Sequence, residues 1–417
     1  MASVCATIVL AIASPILLWK YKRTASDYGT YKSEIEGRQK FKQLLQEAPP
    51  GGIKRDTASG RMTSRIEGYD ITYTVDPDIQ IAAEQALFKE NPYTGAIVAM
   101  DPTTGEVVAM ASYAQKRREY YQTVPFSTMF DPTSRNSVFP MASIQKLITA
   151  SAAFEKGIAK PSDTHNCSGF FSAGSGVLIP CSRGQGRGHG PITIAQAMAS
   201  SCNVTFAWLA MLVKRDLLED YYHQYLFDRD IDFDLPVTES TIMIAPGYPG
   251  LARSGCGLDG ARVSPLHAAM VAAAIQNGGV MMKPFIIKSV SQAGKEIYTG
   301  KPEELARPIK PETAAKLAES MSSTVEEGGT GFKKFGRVLG DDNDTLKVMA
   351  KTGSLNDNSP QEHYTWFVGF SNGGARKFAF AAMMMTDEAH TEMHAASLAK
   401  DLFVSLVNAQ KNTENDH

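Results

Sequence analysis

Little in this sequence is extreme, and each shortage removes a class of function. Its 417 residues carry 42 Lys and Arg against 44 Asp and Glu, a formal net charge of −2, so no global field draws the chain to nucleic acid. One short basic cluster, Lys116-Arg117-Arg118, reads as a solvated loop. Cysteines number only five, and no Cys/His spacing resembles a zinc site, so no metal and no other cofactor is expected. Cys167 and Cys181 flank a Gly/Ser-rich excursion; they could pair in an oxidising compartment and would stay free thiols in a cytosol. Charged residues make up 21% and hydrophobic ones 43%, the balance of a globular protein that is neither disordered nor membrane-filled.

The first segment departs from that balance. From Ala2 to Trp19 no residue is charged, and Val4, Ile8, Val9, Leu10, Ile12, Ile16, Leu17 and Leu18 dominate. About 18 residues just span a bilayer as a helix. A signal peptide is the competing reading, but no basic segment precedes it and cleavage after Ala11-Ile12-Ala13 would leave a short apolar core. Residues 1–23 are therefore expected to be a membrane anchor. Lys20, Lys22 and Arg23 on its C-terminal side would by themselves hold the rest of the chain in the cytoplasm.

Residues 24–68 are polar and turn-rich and read as a juxtamembrane segment and linker, leaving 69–417 as one domain. Ile71 to Val75 alternates as a strand, and Asp76-Pro77 caps a helix reaching about Lys89. Gly95 to Met100 and Glu106 to Ala111 flank the turn Asp101-Pro102-Thr103-Thr104-Gly105 and predict a hairpin. Ser112 to Val138 reads as an irregular approach, and from there to about Gly279 helical patterns dominate, including one over Ile192 to Met211 and an Ala-rich one over Ser264 to Gly278. Three further strands are expected over Leu346 to Gly353, Trp366 to Ser371 and Phe378 to Met385, before a last helix over Thr391 to Val407. Strands at both ends with helices between imply an α+β fold, an antiparallel sheet flanked by helices and carrying an all-helical subdomain.

The chemistry gathers on Phe139-Pro140-Met141-Ala142-Ser143-Ile144-Gln145-Lys146. Apolar residues at helical spacing start a helix after Pro140, with Ser143 in its first turn and Lys146 three positions on, on the same face. A crowded, desolvated lysine there could take the serine's proton. Ser-x-x-Lys alone is weak, and Ser397-Leu398-Ala399-Lys400 is a second copy. Order separates them: Ser201-Cys202-Asn203 and then Lys351-Thr352-Gly353, the only Lys-Thr-Gly in the chain, follow the first copy. Ser134-Arg135-Asn136 and Ser354-Leu355-Asn356 are similar decoys for the middle motif.

These three motifs in this order resemble those of the penicillin-binding protein transpeptidase domain, most closely the class B (monofunctional) group, whose fold is that of the β-lactamases. The resemblance extends over Asp101 to Glu106, His189 to Ala197, Gly328-Gly329-Thr330-Gly331 and Trp366 to Phe370. It departs at Ala142, where the family usually has glycine, and at Gly255-Cys256-Gly257, where it has Gly-Gln-Gly.

The resemblance implies Ser143 as nucleophile and Lys146 as its base. Ser201 would relay a proton to the departing amine, and Asn203 would hold Lys146 and the substrate amide. Lys351, Thr352 and Gly353 would receive a terminal carboxylate and a substrate backbone, and the N–H groups of Ser143 and Ser354 would form an oxyanion hole. His189 and His363 are left as structural residues. The implied activity is peptidoglycan D,D-transpeptidation of stem peptides through a serine acyl-enzyme, with β-lactams as covalent mimics and a separate membrane glycosyltransferase as partner. Such a substrate would place the domain outside the cytoplasmic membrane. D,D-carboxypeptidase or β-lactamase activity on the same fold, or a non-catalytic β-lactam sensor or scaffold, are the alternatives.

Overall fold

The computed structural model describes residues 43, 52–57, 59–184, 186–340, 346–358, 361–373, 377–387 and 394–415. The expected anchor over 1–23 lies outside them, and among the described residues no helix is long and apolar enough to cross a membrane.

A five-stranded antiparallel sheet is the frame. Its order is Val348–Asn358, Gln361–Ser371, Ala379–Asp387, Thr94–Met100 and Val107–Ala114, so the strand bearing Lys351-Thr352-Gly353 is an edge. Strand side chains alternate between faces, and here both faces are buried, which explains the nearly unbroken apolar runs. Val98, Met100, Val368, Phe370, Ala381 and Met383 join the core shared with the buried helix Pro265–Gln276. Ile97, Ala99, Phe367, Phe380, Ala382 and Met384 join the opposite core, under Pro77–Glu90 and the C-terminal helix Ala395–Asn415. The expected strands are present and run longer, because pairing carries them past their apolar centres to Asn358↔Gln361 and Glu362↔Asp387.

A second antiparallel sheet pairs Lys54–Arg55, Met62–Ile66, Tyr69–Tyr73, Ile287–Gln292 and Lys295–Thr299. The boundary drawn at residue 68 therefore falls inside a hairpin, where Ser64 lies opposite Ile71 and Ile66 opposite Tyr69. Met62, Ser64 and Ile66 are buried at alternate positions, a strand pattern masked in the sequence by Thr63 and Arg65 on the other face.

Between Phe139 and Gly279 the chain is rich in helix, as expected, and also carries short antiparallel ribbons: Thr164–Cys167 with Gly190–Thr193, Phe170–Ser172 with Leu178–Pro180, and Phe139–Pro140 with Ala261–Val263 and Thr241–Ile242. The helix Lys146–Glu155 is buried along its length to Phe154, which explains why its Ala, Leu and Ile residues leave no polar face.

Candidate active site

Ser143 stands in a tight 3-10 turn, Ala142–Gln145, that leads into the helix beginning at Lys146. The turn is fastened on both sides. The Trp366 indole N–H donates to Pro140 O at 2.9 Å, and the Gln145 amide donates to Asp259 O at 2.9 Å. Gly257 backs it so closely that a Cβ there would lie 2.3 Å from Ala142 O, and its own φ of +82° also favours glycine. The glycine-rich segment ahead of residue 260 thus keeps its close-packing role with Cys256 at its centre.

Lys146 Nζ lies 2.7 Å from Ser143 Oγ and 2.9 Å from Asn203 Oδ1, and it also donates to Cys256 O. Its side chain is completely buried. Burial disfavours the ammonium and pulls the Lys146 pKa down to about 8. A face of Phe206, 5.8 Å from Nζ, closes one side.

The middle motif sits at a helix break. A single helix was expected over Ile192 to Met211; the chain instead forms Ile194–Ala199 and Asn203–Val213, with Ser201 between them at φ +55°. Thr193 and Gln196 form a capping box at the start of the first, and Cys202 caps the second. The left-handed residue turns Ser201 Oγ to within 2.9 Å of Lys351 Nζ.

Lys351 is likewise fully buried and donates also to Thr352 O at 2.7 Å. Burial first, and then the charge of Lys146, hold its pKa well below the usual lysine value. Among the described residues neither lysine forms an ion pair with a carboxylate. On the same edge strand Gly353 lies against the nucleophile turn, since a Cβ at Gly353 would be 3.4 Å from Ala142 Cβ. Ser354 is exposed on that strand, and Thr352 Oγ1 lies 2.6 Å from Thr330 Oγ1.

All five residues expected to act in catalysis are therefore brought together in two hydrogen-bonded groups, Ser143–Lys146–Asn203 and Lys351–Ser201. Thr330 had no expected role. It spans two motifs, bonding Thr352 and also donating to Ala199 O at 3.1 Å, and its flanking glycines were its only signal in the sequence. The second Ser-x-x-Lys is on the C-terminal helix, where Lys400 pairs with Asp401 at 2.9 Å. His363 bonds Asn356, away from the serine. His189 is in a different setting, with Nδ1 3.2 Å from Cys181 Sγ.

Comparison with known proteins places the chain in one family. Residues 95–404 match the family model described as the penicillin binding protein transpeptidase domain. Peptidoglycan D,D-transpeptidase PbpA of Mycobacterium tuberculosis is 24% identical over 346 residues, covering 76% of this chain and 67% of that protein. Stage V sporulation protein D of Bacillus subtilis is 27% identical over 360 residues, covering 82% of this chain and 53% of that protein. Among solved structures, the penicillin G acyl-enzyme complex of penicillin-binding protein A from M. tuberculosis superposes with a TM-score of 0.67 at 22% identity, over 82% of this chain and 80% of that one. The D,D-transpeptidase domain of a peptidoglycan glycosyltransferase from Eggerthella lenta gives a TM-score of 0.66 at 24% identity, over 82% and 83%.

Proposed function

The chain belongs to the penicillin-binding protein transpeptidase family, and on that premise we propose that it is a peptidoglycan D,D-transpeptidase working through a Ser143 acyl-enzyme. The observation that carries this reading is the 2.7 Å contact between Ser143 Oγ and a fully buried Lys146. With a pKa near 8, about a tenth of Lys146 is neutral at pH 7, enough to accept the serine proton as attack begins.

In the first half-reaction Ser143 Oγ attacks the carbonyl between the two terminal D-alanines, and its proton passes to Lys146 Nζ. The C–N bond then breaks. Ser201, bonded to Lys351, hands a proton to the departing amine and is resupplied from the lysine side. Asn203 steadies Lys146 through its carbonyl oxygen, and its NH2 faces the excursion at Pro180. In the second half-reaction an acceptor amine attacks the ester, its proton leaves through the same groups, and Ser143 is regenerated. Neutral Lys146 is a base for water as much as for an amine, and the preference for transfer to an amine rests on the relatives, which are named peptidoglycan D,D-transpeptidases.

The substrate of such an enzyme lies outside the cytoplasmic membrane. Residues 1–23 are accordingly read as a single-pass anchor with the domain on the outer side, and the glycan polymerase as a separate membrane protein.

The test is labelling with a fluorescent penicillin, wild type beside Ser143→Ala, followed by intact mass over hours. A lasting adduct on the wild type alone is expected. An adduct lost within minutes would make the protein a hydrolase, and no adduct at all would overturn the serine mechanism.

A further inference from the structure

Beside the serine centre the fold brings four soft donors to one point. Cys167 ends the strand Thr164–Cys167, and His189 directly precedes its partner strand, in which Gly190 lies opposite Cys167. Cys181 follows the hairpin of Phe170–Ser172 and Leu178–Pro180, and Cys202 caps the helix Asn203–Val213. The three sulfurs and a ring nitrogen of His189 all lie within 4.8 Å of one another. Tetrahedral zinc, with bonds of about 2.3 Å to sulfur and 2.0 Å to nitrogen, sets its ligand atoms roughly 3.5–3.8 Å apart. A contraction of about 1 Å at the widest pair would close this set on an ion.

Thr205 donates to Cys202 Sγ from its N–H at 3.5 Å and its hydroxyl at 3.3 Å. The excursion is wrapped tightly enough that a Cβ on Gly188 would lie 2.0 Å from Cys167 O. A disulfide between Cys167 and Cys181 would use two of the donors and leave Cys202 and His189 converging on nothing.

We propose that Cys167, Cys181, His189 and Cys202 bind one structural zinc ion that fastens the 167–189 excursion to the turn carrying Ser201 and Asn203. Four protein ligands leave no open position, so the ion holds structure and takes no part in the reaction. Three thiolates and an imidazole select zinc over hard cations. What it fastens matters to the serine centre. Across this junction Ser182 Oγ donates to Ser200 O at 3.2 Å, and Asn203 Nδ2 donates to Pro180 O at 3.3 Å.

The experiment measures metal in the untagged full chain by mass spectrometry and titrates chelator-stripped, reduced protein with Co2+. Close to one zinc per chain is expected, with thiolate-to-Co2+ charge-transfer bands and the intense visible absorption of a tetrahedral site. Cys167→Ser and Cys181→Ser should retain less than about a tenth of the zinc, while Cys256→Ser, a buried cysteine outside the cluster, keeps it. If the cluster variants do not fold, the wild-type Co2+ spectrum decides. A wild-type chain that takes up no stoichiometric zinc, a Co2+ spectrum without charge transfer, or a Cys167–Cys181 disulfide in the isolated protein would overturn the site. Metal content is read without acylation, so its failure leaves the serine mechanism standing.

Discussion

Lys351 Nζ lies 2.9 Å from Ser201 Oγ across 150 residues of chain. That one contact joins the edge of the sheet to the break between two helices. It also leaves a second buried lysine near Lys146, each partnered by hydroxyl, amide or main-chain oxygen. Two buried ammonium groups repel, so the site favours losing a proton from one of them. A serine between an amine and a leaving group is then a conduit for that proton.

Ser201→Ala tests the conduit. The variant removes one hydroxyl from a turn held mainly by its main chain, Ser201 N–H to Met198 O and Cys202 N–H to Ala197 O. Its melting temperature should move little. The second-order rate of acylation by a fluorescent penicillin should fall by about 10²-fold or more, the usual weight of a positioned proton-transfer group. A wild-type rate would remove Ser201 from the relay.

Thr330→Val tests a residue that no motif singled out. Valine keeps the volume and loses the bonds to Thr352 Oγ1 and Ala199 O. About 1 kcal/mol of stability should go with them. Acylation should slow several-fold because Thr352 loses its orienting partner. Unchanged acylation in a destabilised variant would confine Thr330 to a structural role.

What the sequence made legible was local: Ser143 and Lys146 share one turn and Lys351 follows the apolar run Val348-Met349-Ala350, so spacing within each motif and the order of the motifs single them out. The left-handed Ser201 was hidden, because Ile194, Ala197, Met198, Val204 and Phe206 continue one helical pattern across the break. Tertiary contacts made by Thr330 and Lys351 decide the conformation there. The cysteine cluster was invisible for the same reason, since its donors come from a strand end, a hairpin exit, a loop and a helix cap. Met62–Ile66 was passed over because polar residues on its exposed face diluted a period of two.

Ala142→Gly addresses the departure from the family pattern beside the nucleophile. Ala142 is held at φ +51°, where a Cβ costs about 1 kcal/mol and glycine nothing. Its Cβ also rests 3.4 Å from the position a Cβ would take on Gly353, so it helps space the edge strand from the turn. The glycine variant should melt at the same temperature or slightly higher, while bulky β-lactams acylate Ser143 faster as that contact opens. A fall in stability above 1 kcal/mol, measured by denaturant titration, would show that packing at Ala142 outweighs its backbone strain.

The pH dependence follows from the buried Lys146. Its pKa falls from the usual 10.5 to about 8 on folding, with burial as the main cause. Above pH 10.5 the group is neutral in both states and has no effect on stability. As pH falls from there to about 8, the unfolded chain takes up a proton that the folded chain resists, so stability declines. Below about 8 both states are protonated and the loss, on the order of 3 kcal/mol, stays constant. The same titration sets the rate, because only the neutral amine accepts the Ser143 proton. Acylation should therefore rise nearly tenfold per pH unit below about 8 and level off above it. Lys146→Arg, which cannot deprotonate in this range, should lose acylation at every pH. Stopped-flow acylation from about pH 6 to 10 reads the rate profile, and denaturant titration over the same range reads the stability. A flat wild-type profile would mean that the proton of Ser143 leaves by another route.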